Sequence, residues 1–240
     1  MRIAVKAIAN VPEREYLQML ALHRQYYCNV KDDKFLRDFH EKNWCIVVFD
    51  DHEQVQGYST LQLIPTEWRR RQYQILFSGN TLMSQAYWNL NYIAIGFCHI
   101  LVHLLHKFPQ ADLLWLLISK GYRTYRFLPV CFRVFHPSCE GAAPEYMKPL
   151  LDHVCRAKFG ALYDTDRGIV LPSGDDDFLN PQMAETPPAR LKDPHVAFFL
   201  ERNPGYAQGE ELACLTELME SNLNTPLLHR LLRTPVDWSP

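Results

Sequence analysis

The chain has 240 residues, 48% of them hydrophobic, which is enough for one large core or one domain with an appendage. Its 25 basic and 27 acidic side chains nearly cancel and the sequence pI is about 6.5, so no global field argues for nucleic acid. Seven cysteines without a CxxC pair fit reduced thiols in a cytoplasmic protein better than a disulfide framework or a zinc finger.

The N-terminal stretch MRIAVKAIANVPEREYL has no continuous apolar segment, which disfavours a secretory signal. After Pro12, apolar residues at Tyr16, Leu17, Leu20 and Tyr27 predict a first helix, and DKFLRDFHEKN predicts a shorter second one. WCIVVFD and GYSTLQLI, separated by the polar DHEQVQ, predict an antiparallel hairpin. YQILFSGNTLM adds a third strand after EWRRRQ, so the chain from Trp44 to Met83 is expected to be a meander.

From Asn91 the period changes. Leu90, Ala94, Phe97, Leu101, Leu104 and Phe108 recur at three and four residues, one face of a helix that closes at Phe108-Pro109. The run Ile93 to Leu105 contains His99 and His103 and is shorter than the roughly 20 residues of a membrane span. LLWLLIS follows as a strand apolar on both faces, and a right-handed crossover makes it parallel to the strand before the helix.

Beyond it, SKGYRTYRFLPVCFRVFHP is mixed helical and aromatic, PEYMKPLLDHVCRAKF is an amphipathic helix, and ALYDTDRGIVLP is a candidate strand. Residues 172–195 hold four prolines before Pro194 and the triple aspartate Asp175 to Asp177, which predicts a surface loop or partly disordered insertion. HVAFFLERNP is expected to form a last strand, and GEELACLTELMESNL and TPLLHRLLRT closing helices, all packed on the same core. No internal repeat is present.

Two helices, a meander, then strand, helix, strand and a tyrosine-bearing segment is an order that resembles the GNAT acyltransferase superfamily. The residues carrying the resemblance are WCIVVFDDHEQVQGYSTLQL, ILFSGNTLM and DLLWLLISKGYRTYRFLPVCF, within residues 3–171. It implies a mixed α/β fold: a mostly antiparallel sheet with one β-α-β parallel unit and a C-terminal helical extension. It also implies a thioester donor, acyl-CoA or acyl-phosphopantetheine, lying between two splayed strands, an amine acceptor, and no permanently bound cofactor. The chain departs from the family pattern at one place. The family has Arg/Gln-x-x-Gly-x-Gly/Ala at the start of its central helix, where the coenzyme A pyrophosphate sits; here Trp88, Asn89, Asn91 and Tyr92 occupy those positions.

The resemblance assigns Ser78, Gly79 and Asn80 to the central-strand backbone that polarises the thioester carbonyl, and Gly79 suits a bulge or a close backbone approach. It makes Tyr125 and Tyr122 candidates for the acid that protonates the leaving thiolate, against the alternative that both are aromatics packing a helix onto the sheet. Arg126, with Arg123, is a candidate for donor phosphate. Asp112 and His136 are the nearest titratable groups in sequence for a general base. His99, His103 and His106 share a helix face opposite the apolar stripe with no carboxylate beside them, so no metal is expected. Arg69, Arg70 and Arg71 form a loop cluster that would suit an acidic acyl-carrier protein. An open cleft marks an enzyme; a cleft plugged by Trp88 or Tyr92 marks a binding or interaction module.

Overall fold

The computed structural model describes residues 1–88, 91–141 and 143–239. Strand β1 (Arg2–Ala7) opens the chain, an element that the sequence pattern had not singled out. Helix α1 (Glu13–Tyr26) starts after Pro12, with Glu13 and Glu15 in its first turn, where the helix dipole favours negative charge. A two-residue strand, β2 (Tyr27–Cys28), leads to α2 (Asp32–His40), which buries Phe35 and Phe39 one turn apart. Then come the expected meander strands, β3 (Trp44–Phe49), β4 (Val55–Trp68) and β5 (Arg71–Met83).

Helix α3 (Tyr92–Lys107) crosses to β6 (Asp112–Ser119), and β5 and β6 pair in parallel from Tyr73↔Asp112 to Ser78↔Leu117. Two short helices follow, α4 (Tyr122–Tyr125) and α5 (Phe127–Cys131), then α6 (Met147–Phe159). Strands β7 (Tyr163–Asp164) and β8 (Ile169–Val170) are two residues each.

The segment 172–195 is built of short elements anchored to the body. Its strand β9 (Phe178–Leu179) pairs with β2, and α7 (Pro181–Ala184) is capped by Asn180, whose side-chain amide donates to the Gln25 carbonyl. HVAFFLERNP, expected as a strand, is helix α8 (Pro194–Arg202). GEELACLTELM, expected as a helix, is strand β10 (Glu211–Glu217). Helix α9 (Thr225–Leu232) is as expected, and β11 (Asp237–Ser239) ends the described chain.

The result is a mixed α/β fold around a nine-stranded sheet in the order β11-β1-β3-β4-β5-β6-β10-β8-β7. Among the described residues only the β1-β11 and β5-β6 pairs are parallel. Helix α3 and the C-terminal helices cover one face in a core that includes Ile46, Leu76, Leu101, Trp115 and Leu231. Helices α1 and α2 cover one half of the other face, and α6 covers the rest. No helix among the described residues is long and apolar enough to cross a membrane.

Candidate functional site

Beyond Ser78 and Leu117 the ladder between β5 and β6 stops, although both strands continue. The gap opens into a cleft of about 740 Å³. At the same level β5 bulges against β4: Tyr58 pairs with Leu82 and Thr60 with Gly79, so the single residue Ser59 faces both Asn80 and Thr81. Asn80 has φ +42°, a left-handed conformation that asparagine tolerates better than most residues. Three side-chain hydrogen bonds hold the bulge. Thr60 Oγ1 donates to the Gly79 carbonyl at 3.0 Å, Ser59 and Thr81 share a hydroxyl hydrogen bond at 2.7 Å, and the Asn80 amide donates to Asp38 at 2.6 Å. Asp38 is also ion-paired with the fully buried Lys42 side chain. A Cβ on Gly79 would stand 3.3 Å from the Lys42 stem and 3.4 Å from the Phe77 ring, so glycine permits this close approach.

One side of the cleft is bordered by Met83, Trp88, Ile93, Tyr122 and Arg123. Trp88 donates its indole N–H to the Met83 carbonyl at 2.7 Å and so stands along the wall. The Arg123 guanidinium stacks on Trp88 at 4.2 Å and on Tyr122 at 4.7 Å, and burial lowers its pKa from the usual value. Arg126 also borders the cleft but is ion-paired with Asp193 at 2.9 Å. Asn91 precedes the first residue of α3 without a side-chain capping bond and Tyr92 packs against the core; neither lines the cleft. Asn89 lies outside the described residues.

The two candidate tyrosines diverge. Tyr122 borders the cleft, whereas Tyr125 is fully buried among Phe135, Phe198 and Phe199 and donates its hydroxyl to the Pro137 carbonyl at 3.0 Å. Burial raises the Tyr125 pKa far above that of an ordinary tyrosine. Its place is that of a packing residue.

The two candidate bases lie elsewhere. Asp112 pairs with Arg71 at the far end of β5, and His136 bridges to Leu215 of β10, where burial lowers its pKa to about 4. Neither is among the cleft residues. Arg69 stacks on Trp68 at 4.4 Å in the β4–β5 turn, so the arginine cluster sits at the end of the hairpin away from the bulge. At about 3.3 Å per residue, that is some 25 Å along the strand. His99 shares a hydrogen bond with the Thr234 carbonyl at 3.1 Å and His103 packs against Trp44 and Trp238.

The opposite side of the cleft holds groups that the sequence pattern did not bring together. Lys120, at the end of β6, is ion-paired with Asp177 and lies 3.5 Å from Glu211 on β10. His23 of α1 bridges Tyr58 and Asp177 through its two ring nitrogens, at 2.6 Å each, and stacks on Tyr27 at 4.2 Å. Burial raises the Glu211 pKa, opposed by the Lys120 charge. Burial would raise Asp177 as well, but the His23 hydrogen bond and Lys120 hold it well below the usual carboxylate range. Lys158 of α6 stands 4.4 Å above the Phe77 ring and donates to Gln62 at 2.8 Å; burial, then the Lys42 charge, lowers its pKa. No motif announces these residues. They come from widely separated parts of the chain, and Glu211 is placed only once β10 is known to be a strand.

No family model matches the chain, and no curated protein does. Among solved structures it is similar to a probable N-acyltransferase from Enterococcus faecalis V583, with 15% identity and TM-score 0.42 over 56% of this chain and 33% of that one. The chain therefore spans about a third of the Enterococcus protein's length. It is similar to a GNAT-family N-acetyltransferase from Escherichia coli in complex with CoA, with 17% identity and TM-score 0.37 over 53% of this chain and 68% of that one. It is also similar to Rv2747 from Mycobacterium tuberculosis in complex with CoA and NLQ, with 12% identity and TM-score 0.42 over 90% and 99% of the two chains. The architecture stands on the chain's own topology: a meander, one parallel β-α-β unit, a bulge in β5 and a splay between β5 and β6.

Proposed function

We propose that this GNAT-like protein is an N-acyltransferase that moves an acyl group from a thioester, acyl-CoA in the first place, to an amine. The observation that carries the reading is the open cleft at the splay of β5 and β6, with the β5 bulge on its wall. Trp88 lines that cleft without filling it and Tyr92 is turned away, which favours an enzyme over a binding module.

In this reading the thioester carbonyl rests against the backbone of Ser78 to Asn80. Preorganised N–H groups there stabilise the charge that develops on the carbonyl oxygen as the amine attacks. The C–N bond forms, the C–S bond breaks, and Tyr122 gives its proton to the leaving thiolate, whose pKa is close enough to that of a phenol for the transfer. Glu211, its carboxylate made more basic by burial, receives the amine proton directly or through water. Arg123, stacked on Trp88, supplies positive charge for donor phosphate where related sequences have a glycine-rich loop. Arg69 to Arg71 lie at the far end of the hairpin, so the cleft favours coenzyme A over a carrier protein docked on that cluster.

The test is thiol release by the purified protein, across acyl-CoA donors and a panel of small amines and peptides with free amino groups. Release that depends on the amine, with a matching amide product in the mass spectrum, is expected. No release above the uncatalysed rate for any pair overturns the reading.

A further inference from the structure

A second cavity, of about 40 Å³, lies on the α3 side of the sheet. It shares the wall residues Ser78, Thr81, Ile93, Thr124 and Phe127 with the main cleft, so it lies beside the bulge. Its far side is formed by Ala94 and Cys98 of α3, Trp115 of β6, Phe132, and Leu228 and Leu231 of α9.

Most of the polar groups on its wall are engaged in hydrogen bonds. Trp115 donates to Ser78 Oγ at 2.9 Å, Ser59 and Thr81 share their hydroxyl bond, and the Asn224 amide donates to the Val130 carbonyl at 3.2 Å. Burial pushes the Cys98 and Cys131 thiols up to about 12, so both remain neutral. A slot with this lining offers water few hydrogen bonds and offers a hydrocarbon a nearly continuous contact surface. A water-sized group takes up about 10–15 Å³ of such space, so the slot takes about three such groups in a row.

We propose that the slot receives the tail of the donor's acyl chain, which makes linear acyl groups of about four to six carbons better donors than acetyl. The inference rests on the acyltransferase reading above and adds the donor class to it. With the carbonyl at the bulge, the first two carbons lie in the main cleft and the following methylenes pass the Ser78, Thr81 and Ile93 wall. Helix α9 closes the end of the slot and sets the length.

The experiment is calorimetric titration of the protein with CoA and with acetyl-, butyryl-, hexanoyl- and decanoyl-CoA. Each methylene between acetyl and hexanoyl is expected to tighten binding about threefold to fourfold, and decanoyl to gain nothing further. In Ala94→Leu, which fills the slot, the gain with chain length should vanish. In Leu228→Ala, which lengthens it, the optimum should move about two to three carbons upward, by the volume removed. Equal affinity from acetyl to hexanoyl in the unaltered protein overturns the slot and leaves the acyltransferase reading standing. Absence of binding by CoA and every acyl-CoA overturns both.

Discussion

Tyr122 and Tyr125 stand three residues apart and face different surroundings, which gives them opposite expected phenotypes. Tyr122→Phe removes the acid at the cleft and should lower kcat by roughly 100-fold or more with little change in KM. Tyr125→Phe leaves the Pro137 carbonyl without its donor in a buried setting. It should cost about 1–3 kcal/mol of stability with kcat unchanged. Steady-state kinetics and urea denaturation of the two variants check the pair, and an intact kcat in Tyr122→Phe would remove the proposed acid. The sequence offers both tyrosines and has no means of showing which ring reaches the cleft. That choice depends on Phe198 and Phe199 of α8, more than seventy residues away in sequence.

Helix α3 lies close to the sheet because of Gly96. A Cβ there would stand 2.5 Å from Ile46 Cγ2 on β3, and Ile46 is fully buried. Alanine at this position gains about 1 kcal/mol of helix propensity over glycine. Overpacking of this kind costs about 1–3 kcal/mol, and here the obstacle is a β-branched side chain without room to rotate. Gly96→Ala is therefore expected to lower the thermal midpoint by a few degrees, measured by circular dichroism. The glycine that α3 lacks at its start is present four residues after Tyr92, serving helix-to-sheet contact. At this scale β1 was not legible, but the apolar pattern was legible from α1 to β6, the two-residue β2 apart, because the meander strands are dense in apolar residues and α3 keeps a helical stripe. It failed at α8 and β10 for different reasons. Asp193-Pro194 is a helix start, with the Asp193 carboxylate accepting from the His195 N–H at 3.0 Å, but the β-prone Val196, Phe198 and Phe199 masked it. In β10, strong helix formers such as Glu211, Leu212 and Ala213 lie in a strand flanked by β6 and β8, where pairing and two-sided burial override propensity. That second failure hid Glu211 from the site.

Across the whole molecule, the cluster of Lys120, Asp177, Glu211, His23 and Tyr58 ties α1, β4, the end of β6, the segment before β9 and the start of β10 into one body. The Asp177 pKa is depressed in the fold, because the His23 hydrogen bond and the Lys120 charge outweigh burial. Its contribution to stability is fully present above the unfolded value of about 3.9 and is lost as pH falls through the folded value. The denaturation midpoint of the unaltered protein should therefore decline below about pH 4 from this group. Glu211 acts in the opposite sense. Its folded pKa is raised, so its contribution is present below its unfolded value and is lost as pH rises through the folded one. Lys120→Met leaves both carboxylates half-enclosed without their cation. Breaking such a pair costs about 3–5 kcal/mol near neutral pH. Glu211 then favours the protonated form in the fold more strongly, while Asp177 keeps its His23 hydrogen bond, so relative to the unaltered protein the variant should lose ground as pH rises from 3 toward 7. Urea midpoints at pH 3, 5 and 7 for the two proteins measure this, and parallel pH dependences would show that Lys120 does not govern the cluster.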